Sequence, residues 1–162
     1  MMGHTHILAG MCAGLGVAAY MHASPLDSLV LAGLAGAAAL LPDIDHPKAD
    51  IRRRLGLLGT FTFGWMSHRG ITHTWLLALV LGALALLTLP SPVALALIAG
   101  YSSHLIADMA TRSGLPVFWP LTNERFFVLP YPLRVRTGSV VESLLDVGMV
   151  AIIGGLLAPL LK

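Results

Sequence analysis

Apolar residues run along this chain in long blocks, and short polar or proline-containing interruptions divide them into five. Met1 to Pro42 carries one charged residue, Asp27, beside His22-Ala23-Ser24-Pro25, which predicts two helices and a turn. Gly70 to Ala107 contains no Asp, Glu, Lys or Arg and has Pro90-Ser91-Pro92 near its middle, which predicts a second hairpin. Val140 to Leu161 supplies a fifth apolar segment. Several strictly apolar stretches are only about fifteen residues long, short of the ~20 needed for a full membrane span. Helices buried in a compact membrane domain, reaching the interface through polar ends, account for that length. The expected fold is therefore all-α: a polytopic membrane bundle of about five transmembrane or membrane-embedded helices, forming one domain over residues 1–162.

Composition strengthens the membrane reading. Of 162 residues, 56% are hydrophobic and only 11% charged, with mean hydropathy +0.81. Soluble domains carry roughly 25% charged residues, so too few charges are present here to cover a water-facing surface. A cleaved leader is the competing reading of the first block, since Ala19 to Ala23 resembles a cleavage region; Met1 to His6 lacks the positive stretch that opens such leaders, and the block is read as a retained helix. Cys12 is the single cysteine and lies in an apolar segment, so no intrachain disulfide forms.

If the five helices cross alternately, the N-terminus, the loop from Asp43 to Ile71 and the loop from Thr111 to Gly138 share one membrane face. That face holds Lys48, Arg52, Arg53, Arg54, Arg69, Arg112, Arg125, Arg134 and Arg136, nine of the ten basic residues. The positive-inside bias makes it cytoplasmic. The same alternation gathers chemistry there: His6 and Asp43 end the first hairpin at similar depth, His73 and His104 bracket the second, and Glu142 opens the fifth helix.

Three motifs carry the candidate chemistry. Leu41-Pro42-Asp43-Ile44-Asp45-His46-Pro47 has prolines that prevent helix continuation, placing two carboxylates and an imidazole on a tight loop. Carboxylates this close repel unless a cation neutralises them, although a solvated helix end is the plainer account. Ser67-His68-Arg69-Gly70-Ile71-Thr72-His73 precedes the third helix, with Thr72 the expected N-cap and Gly70 allowing a backbone turn that lets His68 and His73 converge. Arg69 suits a phosphate or the charge of a transition state; its plainer reading is an interfacial, snorkelling arginine. His104-Leu105-Ile106-Ala107-Asp108 places an imidazole and a carboxylate four apart on one helix face, spaced for a shared metal or a supporting hydrogen bond. The fourth helix is expected to end near Thr111-Arg112-Ser113-Gly114, with Gly114 as its stop signal.

Other residues divide evenly between roles. Ser139-Val140-Val141-Glu142 fits a capping box, which explains Glu142 structurally, while Glu142 also qualifies as a ligand. Asp146, one turn deeper, is expected to support the site or to pair with Arg134 or Arg136. His4 and His6 compete for one role, and His22 belongs to the opposite turn. Phe118, Trp119, Phe126, Phe127 and Tyr131 read as an interfacial aromatic belt.

A nitrogen and oxygen ligand set without cysteine suits zinc first, with manganese or iron as alternatives. His6, Asp43, Asp45, His46, His68, His73, His104, Asp108 and Glu142 outnumber the ligands of one catalytic zinc, so two or three ions are possible. Clustered metals favour phosphoester hydrolysis, in which Asp45 takes the proton of an activated water and Arg69 stabilises the phosphoryl oxygens.

These stretches resemble the YdjM-type family of bacterial inner-membrane proteins, described as membrane-bound metal-dependent hydrolases and remote relatives of zinc-dependent phospholipases C. The likeness rests on Leu41 to Lys48, His68 to His73, Ser103 to Asp108 and Gly114-Leu115-Pro116-Val117-Phe118-Trp119-Pro120, and covers roughly residues 3 to 146. His6 matches the family's early histidine, which favours it over His4, and Gly138 to Glu142 matches a late Gly-x-x-x-Glu element. The resemblance implies a hydrolase and a metal in the bacterial inner membrane. A phospholipid or other phosphoester substrate is inferred from the site and its membrane position; membrane lipid is the expected partner, and no nucleic acid is expected.

Three rivals remain at this point. A metal or proton transporter also uses intramembrane His and Asp, but predicts polar residues across the bilayer, whereas Trp75 to Ala99 is apolar apart from Thr88 and Ser91. Haem bound between His73 and His104 leaves Asp43, Asp45 and Asp108 unexplained. A metal-stabilised scaffold without catalysis predicts a closed coordination shell.

Overall fold

The computed structural model describes residues 1–45 and 71–158. Within them, five α-helices follow one another: α1 (Gly3–Tyr20), α2 (Pro25–Ala38), α3 (Trp75–Thr88), α4 (Ser91–Met109) and α5 (Val140–Leu157). Short 3-10 turns at Leu41–Asp45, Ile71–His73 and Tyr131–Leu133 join or extend them. The chain is an all-α membrane bundle. The stretch Pro25–Ile44 and helices α4 and α5 are long and apolar enough to cross a bilayer, and α3 is a shorter apolar helix.

Both hairpin turns lie where the chain breaks its apolar blocks. His22 adopts φ 50°, and Ser24 caps α2 by accepting the Asp27 amide at 3.2 Å, with Pro25 in the first turn where its missing N–H costs nothing. Pro90 and Pro92 bracket the start of α4 in the same way. Helix α3 is capped by Thr74, which accepts from the Leu77 amide at 3.2 Å, rather than by Thr72. Thr72 lies inside the preceding 3-10 turn, where its backbone cannot take the extended cap conformation that Thr74 has (φ −105°, ψ 147°).

Helices α1, α2 and α4 form the centre, with α5 packed on α1 and α3 packed on α4. They approach closely because the facing positions are small. A β-carbon added at Gly14 would lie 2.6 Å from the Leu31 carbonyl oxygen and 2.8 Å from Ala32 Cα; at Gly10 it would lie 2.6 Å from the Ala35 oxygen, and at Gly100 it would collide with the Ala35 backbone. Without a hydrophobic driving force between helices in lipid, such close backbone contact supplies the dispersion energy of association. The outward faces carry Leu76, Leu79, Leu84 and Leu87 on α3 and Val140, Leu144, Val147 and Ile152 on α5, all exposed, as a hydrocarbon surround requires.

The segment after α4 folds back over the end of that helix. Helix α4 stops at Met109, and its orphan carbonyls are satisfied from the loop: Val128 N–H donates to the Met109 oxygen at 3.2 Å and Val135 N–H to the Ala110 oxygen at 3.0 Å. Gly114 (φ 59°) sits beyond the end of the helix, where it turns the loop against Phe127, so it is a loop hinge rather than the helix stop. Leu115 and Val117 then bury against Tyr101 and Leu105.

Gly14→Val should lower the melting temperature in detergent, by the roughly 1–3 kcal/mol typical of overpacking. Gly16→Val, where an added β-carbon meets nothing within 4 Å, should leave it nearly unchanged. Equal losses in a thermal-shift assay would contradict the close-packed centre.

Candidate metal centre

Five side chains from four sequence regions meet at one end of the bundle. His6 comes from the first turn of α1, Asp43 from the 3-10 turn after α2, His73 from the turn before α3, and His104 and Asp108 from the last two turns of α4. Alternating helices bring these ends together, and the small residues of the centre let them approach. His6, His73 and His104 are fully buried and Asp108 is 2% exposed.

The backbone settles the orientation of His104. Its Nδ1 lies 2.7 Å from the Ala39 carbonyl oxygen, and a carbonyl only accepts, so Nδ1 carries the proton. In the neutral ring Nε2 is then a bare lone pair, aimed at His73 Nε2 (3.3 Å), Asp43 Oδ1 (3.8 Å) and Asp108 Oδ2 (3.9 Å). A lone pair facing carboxylates in a buried place is repulsive unless a positive group lies between them, either the His73 Nε2–H donating a hydrogen bond across the 3.3 Å gap or a divalent cation. A histidine whose second nitrogen donates to a backbone carbonyl is also the usual arrangement of a metal ligand.

The distances fit a metal polyhedron. His73 Nε2 is 3.4 Å from Asp43 Oδ1, which closes a triangle of His73, His104 and Asp43 with edges of 3.3, 3.4 and 3.8 Å. Tetrahedral zinc with ligands at ~2.0–2.1 Å has ligand-to-ligand edges of about 3.3 Å. On the other side, His6 stacks on His104 with centroids 3.7 Å apart and places Nε2 3.4 Å from Asp108 Oδ1. Among the described residues, neither His6 ring nitrogen makes a hydrogen bond. Two groups, His6-Asp43-His104 and His73-His104-Asp108, each hold ligand atoms within 4.8 Å of one another. The His6 nitrogens, the two carboxylates beside His104 and this spacing suit a divalent ion. Asp108 Oδ1 is also 2.6 Å from the Met1 amino group.

Glu142 accepts from the Met2 amide (2.7 Å), the Thr5 hydroxyl (2.9 Å) and the Gly138 amide (2.6 Å), so its carboxylate clamps the start of α1 to the start of α5. The capping box is shifted: the Glu142 amide donates to Ser139 Oγ at 3.4 Å, but the carboxylate returns to Gly138. Asp146 pairs with His4 at 2.9 Å; among the described residues no ion pair joins it to Arg134 or Arg136, and Arg134 lies over the Phe127 ring at 3.4 Å. The residues His46, His68 and Arg69 lie outside the described residues, as does the side chain of Asp45. Two contributors escaped the sequence. The Ala39 carbonyl has no side-chain signature, and Thr72 supports His73 Nδ1 at 3.1 Å and accepts the Tyr101 hydroxyl through its carbonyl.

The sequence profile of the family described as YdjM inner membrane protein matches residues 1–158. The chain belongs to that family. It is 31% identical over 150 residues to the protein YvsG of Bacillus subtilis (strain 168), covering 92% of this chain and 89% of that protein. It is 38% identical over 87 residues to the inner membrane protein YdjM of Escherichia coli (strain K12), covering 50% of this chain and 44% of that protein. No solved structure matches. Membership, together with the apolar helices, shows a membrane protein of the YdjM family.

Glu142→Gln should weaken three hydrogen bonds to a carboxylate, worth about 1.5–3 kcal/mol each when charge-assisted. The expected outcome is a lower melting temperature with metal content unchanged. A loss of metal at constant stability would make Glu142 a ligand instead of a clamp.

Proposed function

We propose that this chain is an integral membrane metal-dependent hydrolase that cleaves a phosphoester, with phospholipid-type esters included, at the cytoplasmic membrane face. The observation that carries this reading is the His104 lone pair, fixed by the Ala39 carbonyl and directed at His73, Asp43 and Asp108. His73, His104 and Asp43 would hold one divalent ion, zinc first and manganese or iron as alternatives, and His6 with Asp108 would supply ligands for a second. Such an ion supplies Lewis acidity and a water acidic enough to ionise near neutral pH.

The chain's own residues do the rest. Asp43 and Asp108 hold the site's negative charge, and the hydrogen bond from His104 Nδ1 to Ala39 prevents the ring from turning away. Asp45, in the same 3-10 turn as Asp43, would accept the proton of the attacking water, and Arg69, outside the described residues, would pair with the phosphoryl oxygens as negative charge develops. The excess of basic residues in the loops on this side supports the cytoplasmic orientation.

Elemental analysis of detergent-purified protein, beside His73→Ala and Asp108→Ala, tests the reading together with phosphodiesterase and phospholipase assays. At least one zinc, manganese or iron per wild-type chain is expected. Hydrolysis in the variants should fall by more than the ~10–100-fold that loss of a supporting partner costs. Hydrolysis retained in metal-free protein would overturn the metal role. Bound metal without hydrolysis, joined by metal flux into liposomes, would assign the site to transport.

A further inference from the structure

An apolar groove of about 240 Å³ runs between α3 and α4. Its walls include Leu41 and Tyr101 at one end, Gly82, Ala85 and Ile98 in the middle and Leu89 at the other end. The first end adjoins the candidate metal centre. Leu41 opens the 3-10 turn that carries Asp43, and Tyr101 lies one turn before His104 and bonds the Thr72 carbonyl beside His73.

We propose that this groove holds one acyl chain of a membrane lipid whose head group lies at the His/Asp cluster. The second half of that statement rests on the hydrolase reading above and names its substrate class: a bilayer lipid, cleaved where it lies.

Three observations select a hydrocarbon chain. Along α3 the lining extends from Ala78 to Leu89, about 16 Å at ~1.5 Å per residue, which matches one leaflet of a hydrocarbon core ~30 Å thick. The walls make no polar demand: the Thr88 hydroxyl is already bonded to the Leu84 carbonyl at 2.8 Å, and the Tyr101 hydroxyl is turned toward Thr72. The mouth is rimmed by exposed Leu81, Leu84 and Leu89, which opens it toward lipid. A protein helix, ~10–12 Å across with its side chains, is too wide for this volume. The head group of a lipid so seated falls at the level of Asp43 and His73, and its second chain lies on the outer leucines of α3.

The test uses the full chain in nanodiscs containing a phospholipid with a photoactivatable diazirine midway along one acyl chain. Cross-linked peptides are mapped in wild type, in Ala85→Phe and Leu97→Phe, which fill the groove from facing helices, and in Ala83→Phe, on the outer face of α3. Wild type and Ala83→Phe should label groove residues such as Leu97 and Ile98 at least about fivefold more than the exposed leucines of α5, and either filling variant that folds should abolish the excess. Uniform labelling of α3, α4 and α5 in wild type would overturn the proposal by showing annular lipid only, as would excess labelling that survives both fillings. Hydrolysis is read on the same samples with a long-chain phospholipid and a short water-soluble phosphodiester. Selective loss of the long-chain reaction in the filling variants supports the substrate class. Absence of both reactions in wild type defeats the hydrolase reading, and with it the substrate class, while the labelling alone decides whether the groove holds a chain.

Discussion

Two carboxylates, Asp43 and Asp108, are held against three buried imidazoles at the end of an apolar bundle, and most other features of the structure serve that arrangement. Charge in a low-dielectric interior is costly unless a partner of opposite sign is close. The His104 ring cannot answer that need in its neutral form, because its proton is committed to Ala39. Asp108 has the Met1 ammonium at 2.6 Å; a cation between Asp43, His73 and His104 would meet the remaining charge, the lone pairs and the spacing together.

The bundle is built to let those side chains meet. Glycine and alanine at the contacts of α1, α2 and α4 draw three backbones close, so that helix ends far apart in sequence converge. The loop after α4 caps its final carbonyls and buries Leu115 and Val117 over Tyr101 and Leu105. Glu142 fixes the entry of α1, and with it His6, to the start of α5. Catalytic chemistry at one face and an apolar groove descending from the same end would together suit a substrate that never leaves the bilayer.

Much of this was legible in the sequence because hydrophobic length and proline placement act locally. His22-Ala23-Ser24-Pro25 and Pro90-Ser91-Pro92 locate both turns; similar distances from the first place His6 beside Asp43, and distances from the second that agree to within about two helical turns bring His73 near His104. The remainder depends on partners remote in the chain or on backbone atoms. Thr72 and Thr74 are equivalent as caps until backbone angles separate them. A glycine such as Gly114 signals a left-handed residue, but not whether it ends a helix or turns a loop beyond it. Glu142 looked like a ligand or a local cap; its bonds to Met2 and Thr5 reach across the whole chain. The His104 tautomer is set by a carbonyl, and no pattern of side chains announces the groove.

X-ray absorption at the metal edge of the purified wild-type protein tests the central claim most directly. The account predicts a bound divalent ion with a purely nitrogen and oxygen shell, the scattering signature of imidazole, and, for zinc, distances of about 2.0–2.2 Å. A folded protein that takes up no zinc, manganese or iron when these are supplied, or an ion bound through sulfur, would contradict it.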